Sequence, residues 1–255
     1  MKGGPAFWCS SDLGITRRNN EDACLTASIH LSTSNITTLY RILCVADGAG
    51  GHGYGEVASK EAILEAFSKL VYAILWRETD ITDLLRKAIS SANKRIMEIK
   101  SEMRSDMATT LTTVLIKDSD IHIGHVGDSR AYLVNTRTGE IRQLTRDHKY
   151  VEDLVEQGLL SKEEAKFHPQ RNIITSALGM ENPRVDILRF NDVFKEGSRI
   201  LVCSDGLSDL VNDSEIASQA VRSTSPAEII QSLIRLANER GGLDNISVAI
   251  DGYVF

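Results

Sequence analysis

Two segments of the chain, RILCVADG at Arg41–Gly48 and RILVCSDG at Arg199–Gly206, are nearly identical although they lie far apart. Each begins with an uninterrupted apolar run and ends abruptly in Asp-Gly. Continuous apolar runs of this length are typical of strands that are covered on both faces. We therefore predict two buried strands, which deliver Asp47 and Asp205 to the loops at their ends.

The loop after Asp47 reads GAGGHG at Gly48–Gly53, which matches the G-x-G-x-x-G pattern of a dinucleotide-binding turn. In such a fold a single helix follows the turn, and the next strand carries an acidic residue about 20 residues further on. Here the apolar periodicity predicts two consecutive helices, over Val57–Ile74 and Ile81–Ile99. The order of elements therefore argues against a dinucleotide site.

Short strands are predicted before and after these helices. They are Phe7–Leu13, Ala23–Ile29, Leu39–Ala46, Thr109–Ile116, Ile121–Val126, Ala131–Asn135, Ile173–Ala177, Val185–Phe190, Arg199–Cys203 and Ile246–Ile250. Ser225, Pro226 and Glu228 together predict the start of a late helix. Because helices and strands each cluster along the chain, the predicted fold class is α+β. No low-complexity linker divides the chain, so we expect residues 1–255 to form one domain.

The composition is that of an ordinary globular protein. The chain has 255 residues, of which 42% are hydrophobic and 25% charged, and its formal charge is −6. The acidic balance gives no electrostatic reason to expect nucleic acid. No apolar run is long enough to cross a bilayer, so no membrane association is expected. The four cysteines form no C-x-x-C pair, which favours reduced thiols in a cytoplasmic protein.

Further acidic residues stand where predicted strands meet loops. Asp128 and Asp244 occupy such positions, and Glu21 and Asp22 form an acidic pair near the N-terminus. A lone Asp-Gly is most simply a turn. Several carboxylates that converge repel one another, and their burial is costly unless cations neutralise them. Oxygen ligands favour Mg²⁺ or Mn²⁺ over zinc, so the sequence indicates a two-metal site if these side chains meet in space.

Ordered motifs containing these residues resemble the metal-dependent serine/threonine protein phosphatases (PPM, or type 2C), in their compact bacterial and archaeal form. The resemblance runs from Ser11 to Ile250, and the motifs together are highly specific. The motifs are SDLG at Ser11–Gly14, Arg17, NED at Asn20–Asp22, DGAGGH at Asp47–His52, GEVAS at Gly55–Ser59, ATT at Ala108–Thr110, VGDSR at Val126–Arg130, LTRDH at Leu144–His148, ITSALG at Ile174–Gly179, CSDG at Cys203–Gly206 and GLDN at Gly242–Asn245.

The resemblance implies a central β-sandwich of two antiparallel sheets flanked by helices on both sides, in α-β-β-α layers. It implies that Asp47 bridges two Mn²⁺ or Mg²⁺ ions, with the Gly48 carbonyl on one ion and Asp205 and Asp244 on the other. A water held between two such ions is acidified toward hydroxide and aimed in line at phosphorus. The implied reaction is hydrolysis of phosphoserine and phosphothreonine in proteins by that water.

The same resemblance assigns roles to residues around the two ions. Glu21 and Asp22 would act through metal-bound waters, and Asp128 with Asp205 would hold a third, weaker ion. Arg17 matches the family's phosphate-binding arginine, whose guanidinium can bind two phosphoryl oxygens.

His52 is a candidate general acid for the departing serine or threonine oxygen, and the alternative is a loop histidine held by a hydrogen bond. Cys44 and Cys203 lie in predicted strands rather than in a C-x5-R loop, which argues against a cysteine phosphatase. Asp147 and His148 belong to a family motif, but the sequence reveals no role for them. Lys149 stands where serine is common in the family.

The segment at about 150–170 corresponds to the family's flap, a variable element beside the active site. It is helix-prone and rich in charge, so it is either a solvated helical hairpin or a lid that contacts the phosphoprotein. The expected partners are phosphorylated proteins and a serine/threonine kinase, and a monomer is expected.

Three other functions compete with this interpretation. One is a phosphatase dedicated to a phosphorylated anti-sigma-factor antagonist, which the lack of a sensor segment weighs against. Another is a catalytically weak or dead binding module with a phosphatase fold, which has no physical need for so many strained carboxylates. The third is a Ca²⁺-binding structural protein.

Overall fold

The computed structural model describes residues 7–33, 36–50, 54–76, 78 and 80–252. In this part of the chain the strands are β1 (Phe7–Asp12), β2 (Ala23–Thr33), β3 (Ile36–Ala46), β4 (Gly48–Gly50), β5 (Met107–Thr109), β6 (Leu111–Lys117), β7 (Asp120–Val126), β8 (Arg130–Asn135), β9 (Ile141–Gln143), β10 (Asp186–Phe190), β11 (Ser198–Cys203) and β12 (Ile246–Gly252). The helices are α1 (Gly55–Leu75), α2 (Ile81–Met103), α3 (Tyr150–Glu156), α4 (Lys162–Phe167), α5 (Asp205–Ser208), α6 (Asp213–Arg222) and α7 (Pro226–Glu239).

The strands form two five-stranded antiparallel sheets, which stack on each other. The first has the order β1-β12-β11-β8-β9 and the second β10-β7-β6-β3-β2, while β4 and β5 form a separate pair. Helices α1 and α2 pack on the outer face of the second sheet, and α6 and α7 pack on the outer face of the first. The predicted helix-flanked β-sandwich is confirmed.

The near-identical strands β3 and β11 show why their apolar runs are continuous. In β3, Cys44 packs against α1 and α2, whereas Val45 faces the other sheet. In β11, Cys203 packs against α6 and α7, whereas Val202 faces the other sheet. Both faces of each strand are therefore covered by apolar side chains, as the sequence predicts. Each strand ends just before its aspartate.

Two of the predicted strands are wrong in detail. The segment Thr109–Ile116 is divided between β5 and β6, because the Thr110 N–H donates to the Asp47 carbonyl instead of extending either strand. The segment Ile173–Ala177 is not a strand, since it makes only an isolated bridge between Ile174 and Lys149. Apolar residues alone do not make a strand when no neighbouring backbone is available for pairing.

The helices agree better with their sequence signals. The predicted periodic segments lie inside α1 and α2, and the Ser225 side chain caps α7 by accepting from the Glu228 N–H, with Pro226 in the first turn. Helix α6 was not predicted, although Asn212 and Glu215 form a capping box at its start. That reciprocal pair is a sequence signal that could have found it.

A buried histidine in β7 makes the fold sensitive to acid. His125 is fully buried, with Nδ1 2.9 Å from Thr112 Oγ1 and Nε2 2.9 Å from the Arg146 carbonyl oxygen. Burial lowers the pKa of His125 to about 4. The folded protein therefore resists protonation of a group that the unfolded chain protonates below about 6.5.

We expect His125 to remove roughly 3 kcal/mol of unfolding free energy as the pH falls from about 6.5 to about 4, because the unfolded state binds the proton first. The measurement is urea unfolding across this pH range for the wild type and His125→Gln. Subtracting one pH profile of the unfolding free energy from the other gives the contribution of His125, since other groups titrate in both proteins. Parallel profiles would contradict the assignment.

Candidate active site

The main chain of Asp47 is fixed where β3 ends. Its N–H donates to Thr110 Oγ1 at 2.9 Å, and its carbonyl accepts from the Thr110 N–H at 2.9 Å and from Thr109 Oγ1 at 3.0 Å. The Thr110 hydroxyl also lies 2.8 Å from the hydroxyl of Ser129, the neighbour of Asp128. Thr110 therefore ties Asp47 to the loop that carries Asp128.

Gly48 lies at a point where three segments of backbone meet. Its N–H donates to the Glu21 carbonyl at 3.2 Å. A Cβ on Gly48 would come within 2.2 Å of the Gly55 carbonyl oxygen and 2.5 Å of the Glu21 carbonyl oxygen. Only glycine fits here, and the reason is this close approach of protein backbone. His52, further along the same loop, lies outside the described residues.

Asn245 organises the N-terminal acidic pair. Its side-chain oxygen accepts from the Glu21 N–H at 2.8 Å, and its amide donates to the carbonyls of Leu13 and Asn19 at 2.9 and 3.0 Å. Asp22 is buried beside it and accepts from Ser204 Oγ at 2.7 Å. Asn245 belongs to the GLDN motif, but its role depends on contacts between distant parts of the chain that the sequence does not show.

Asp205 and Asp244 come from neighbouring parts of the first sheet. Asp205 opens α5 directly after β11, and Asp244 lies just before β12. A Cβ on Gly206 would come within 2.0 Å of the Asn245 carbonyl oxygen, so glycine allows the two segments to touch. Arg17 Nη2 lies 2.6 Å from Asp244 Oδ2, in a partly exposed ion pair.

The LTRDH motif holds the loop that carries Asp128. The Gly127 N–H donates to His148 Nδ1 at 3.1 Å, and the His148 N–H donates to the Gly127 carbonyl at 2.8 Å. Arg130 forms a bidentate pair with the buried Asp147, in which Nε donates to Oδ1 at 3.0 Å and Nη2 donates to Oδ2 at 2.7 Å. Asp147 and His148, which had no role in the sequence analysis, therefore position Asp128.

Four aspartates lie close enough to influence one another's charge. Burial raises the pKa of Asp47 well above its ordinary value, and the charges of Asp22, Asp205 and Asp128 raise it further. Burial and the charge of Asp128 raise the pKa of Asp205 to about 7, and burial raises that of Asp22 to about 6. The structure therefore brings together side chains that the sequence could only place at the ends of separate strands.

The oxygens of this cluster fit a hard divalent cation. Asp205 Oδ1 and Asp128 Oδ1 are buried, and neither has a hydrogen-bond partner in the described part of the chain. Within the same residues no group of three or more histidine, cysteine, aspartate or glutamate side chains already has the arrangement of a metal site. Asp244 is paired with Arg17, and Asp128 with Lys149. Carboxylate oxygens that are buried and unpaired are the donors that Mg²⁺ and Mn²⁺ prefer.

The two buried cysteines, Cys44 and Cys203, are poor candidates for a nucleophile. All four are free thiols, and Cys44 and Cys203 are fully buried in the cores of the two layers. Burial raises the pKa of Cys44 to about 12 and shifts that of Cys203 in the same direction. Neither thiol therefore supplies a thiolate at neutral pH.

The flap segment consists of two short helices. Helices α3 and α4 pack against each other, and Ser161 with Glu164 forms a capping box at the start of α4. Leu159 and Phe167 expose large apolar side chains to solvent.

No helix of the described residues has the length and apolar character that crossing a membrane requires.

The family described as Protein phosphatase 2C matches residues 17–241. The chain therefore belongs to the protein phosphatase 2C family. It is 38% identical over 244 residues to the serine/threonine phosphatase stp of Listeria welshimeri, which covers 94% of this chain and 92% of that protein.

Solved structures agree with the family assignment. The crystal structure of the Mycobacterium tuberculosis serine/threonine phosphatase PstP/Ppp is similar with a TM-score of 0.81 at 33% identity, over 97% of this chain and 98% of that one. The crystal structure of the catalytic domain of PstP in complex with two manganese ions is similar with a TM-score of 0.77 at 34% identity, over 96% of each chain. The predicted family, fold and enzyme class, a serine/threonine protein phosphatase, are confirmed.

Proposed function

We propose that this protein hydrolyses phosphoserine and phosphothreonine in proteins at the carboxylate cluster, with two Mn²⁺ or Mg²⁺ ions. The observation that carries the proposal is the convergence of Asp47, from one sheet, with Asp205, from the other, next to the exposed guanidinium of Arg17. A binding module with the same fold would not need buried carboxylates whose charges repel one another. The manganese complex of PstP supports the choice of cofactor.

The proposed ligands are Asp47, the Gly48 carbonyl, Asp205 and Asp244, while Glu21 and Asp22 would orient waters around them. Two divalent ions supply the positive charge that lowers the pKa of water and directs it at phosphorus. Phosphate binding and protonation of the leaving group depend on the protein's own side chains.

Arg17 is placed to bind the phosphoryl group. Half of its side chain is exposed, and its guanidinium reaches Asp244 at 2.6 Å, at the margin of the cluster. A guanidinium that turns from Asp244 to two phosphoryl oxygens would orient the substrate and offset negative charge in the transition state. His52 remains the proposed general acid for the leaving serine or threonine oxygen.

The proposed reaction also suggests the substrates, the opposing enzyme and the cellular location. We propose phosphorylated proteins as substrates, a serine/threonine kinase as the opposing enzyme, and a monomer in the cytoplasm. The exposed Leu159 and Phe167 of the flap suit a surface that contacts the substrate protein. A dedicated anti-sigma-factor antagonist would be one particular substrate of this kind.

The direct test is hydrolysis of a matched pair of peptides, one phosphothreonine and one phosphotyrosine, in the presence of Mn²⁺. We expect release of phosphate from the phosphothreonine peptide at a kcat/KM at least roughly tenfold above that for the phosphotyrosine peptide. Turnover of neither peptide, by a protein whose circular dichroism shows it folded, would instead support a binding module.

Arg17→Ala is expected to lower kcat/KM for the phosphothreonine peptide roughly tenfold to a hundredfold, because a charge-assisted bidentate contact to phosphate is lost. The affinity for Mn²⁺, measured by calorimetry, should not fall, since the change frees Asp244 rather than removing a ligand. Arg18→Ala is the matched control, because Arg18 is the exposed neighbour. Equal losses in both variants would show that the effect is general surface charge.

A further inference from the structure

Beside the carboxylate cluster lies a buried ion pair that the proposed reaction does not use. Lys149 Nζ is 3.0 Å from Asp128 Oδ2 and 3.6 Å from Asp209 Oδ1, and only 8% of the Lys149 side chain is exposed. Asp128 is 1% exposed, and its second oxygen, Oδ1, has no hydrogen-bond partner among the described residues. Asp205 lies within electrostatic reach of both Asp128 and Lys149.

The backbone on both sides of Lys149 is fixed at the base of the flap. The His148 carbonyl accepts from the Thr175 N–H at 2.8 Å, and the Tyr150 N–H donates to the Ile173 carbonyl at 2.9 Å. Lys149 also occupies the N-cap position of α3, where its backbone is extended and its side chain makes no capping hydrogen bond. Hydrogen bonds therefore fix the backbone on both sides of Lys149, and burial restricts the conformations of its methylene chain.

We propose that Lys149 is a resident cation of this phosphatase: its ammonium takes the place of a divalent ion at Asp128. A divalent ion bound to Asp128 would lie about 2 Å from the carboxylate oxygen. It would then be only a few ångströms from Nζ, and two positive charges repel strongly at that distance in a buried site. The third ion expected from the family resemblance is therefore excluded in this chain.

The inference extends the proposed function, because it fixes how many divalent ions the active site accepts. With a serine at position 149, which is common in the family, the buried carboxylate of Asp128 and the nearby Asp205 would keep their negative charge and lose the neighbouring ammonium. Buried carboxylates left in that condition demand a cation from solution. The lysine thus changes the composition of the site without being one of its ligands.

The test is a count of bound Mn²⁺ on chelator-stripped protein, by calorimetric titration with MnCl₂ and by metal analysis after equilibrium dialysis. We expect about two Mn²⁺ per chain in the wild type and about three in Lys149→Ser, the additional one being the weakest. Lys149→Arg, which keeps the charge, is the matched control and should bind the same number as the wild type. Adding Asp128→Asn to Lys149→Ser should abolish the extra ion.

Two results would overturn the inference. One is an unchanged number of bound ions in Lys149→Ser, and the other is a wild type that already holds an ion that Asp128→Asn removes. If circular dichroism shows Lys149→Ser to be unfolded, Lys149→Met replaces it, since methionine keeps an unbranched stem and loses the charge. The quantity compared is the number of Mn²⁺ ions bound per chain in the variant and in the wild type. Failure of the proposed function would appear separately, as no Asp47-dependent Mn²⁺ binding and no turnover in the wild type.

Discussion

Removal of divalent cations with EDTA is expected to abolish hydrolysis of both a phosphothreonine peptide and p-nitrophenyl phosphate, and added Mn²⁺ should restore it. The physical reason is that the described site offers carboxylates and an arginine but no accessible thiolate, so without a cation it has no means of generating a nucleophile at neutral pH. The measurement is the initial rate before chelation, after exhaustive dialysis against EDTA, and after return of MnCl₂.

Thiol alkylation and okadaic acid are the controls for this experiment. Iodoacetamide should leave the rate unchanged, because Cys44 and Cys203 are fully buried and their thiols are held protonated. Okadaic acid should also have no effect. Full turnover after exhaustive chelation would be incompatible with the proposed chemistry, as would inactivation by iodoacetamide at Cys44 or Cys203 in a protein that remains folded.

Asp47→Asn is expected to lower kcat on the order of a hundredfold or more and to weaken Mn²⁺ binding, because it removes a charged ligand at the centre of the cluster. The same change should raise the thermal midpoint of the chelator-stripped protein. Burial and the charges of Asp22, Asp205 and Asp128 all disfavour an ionised Asp47, so a neutral amide relieves repulsion there. Kinetics, calorimetry and a thermal melt together measure these three effects.

The opposite signs of the effects on activity and on thermal stability make this test sharp. A variant that merely unfolds would lose both activity and thermal stability, whereas a lost ligand should cost activity while the stripped protein becomes more stable. Asp118→Asn is a suitable control, since Asp118 lies in an exposed turn with a positive φ that asparagine also tolerates. If Asp47→Asn bound Mn²⁺ as tightly as the wild type, the assignment of Asp47 as a bridging ligand would be wrong.

The sequence predicts most strands and helices of the α+β fold well, because these depend on local patterns, whereas the β-sandwich follows only from the family resemblance. The continuous apolar runs before Asp47 and Asp205 require strands covered on both faces, and the structure provides helices on one face and the opposite sheet on the other. By contrast, the apolar segment Ile173–Ala177 resembles a strand only in composition. Its neighbours in space, and not its own residues, decide that it forms no ladder.

The supporting residues of the site escape prediction for a related reason. Asn245 bonds to three backbone groups near the N-terminus, and Ser204 bonds to Asp22 across almost the whole sequence. Short polar side chains make such bonds in many settings, so residue type and position do not reveal the partner. The same holds for Lys149, whose departure from the family motif is visible in the sequence but whose contact with Asp128 is not.

The distribution of acidic residues over both sheets has a consequence for the whole molecule. Asp47 follows β3 of one sheet and Asp205 follows β11 of the other, and the two sheets meet through the apolar layer between them. An ion held by both aspartates, as proposed, would link the two sheets, and its binding free energy would add to the free energy required to separate them. Activity would then depend on the packing of the two sheets against each other, and it would be lost on their separation even while the hydrogen bonds within each sheet persist.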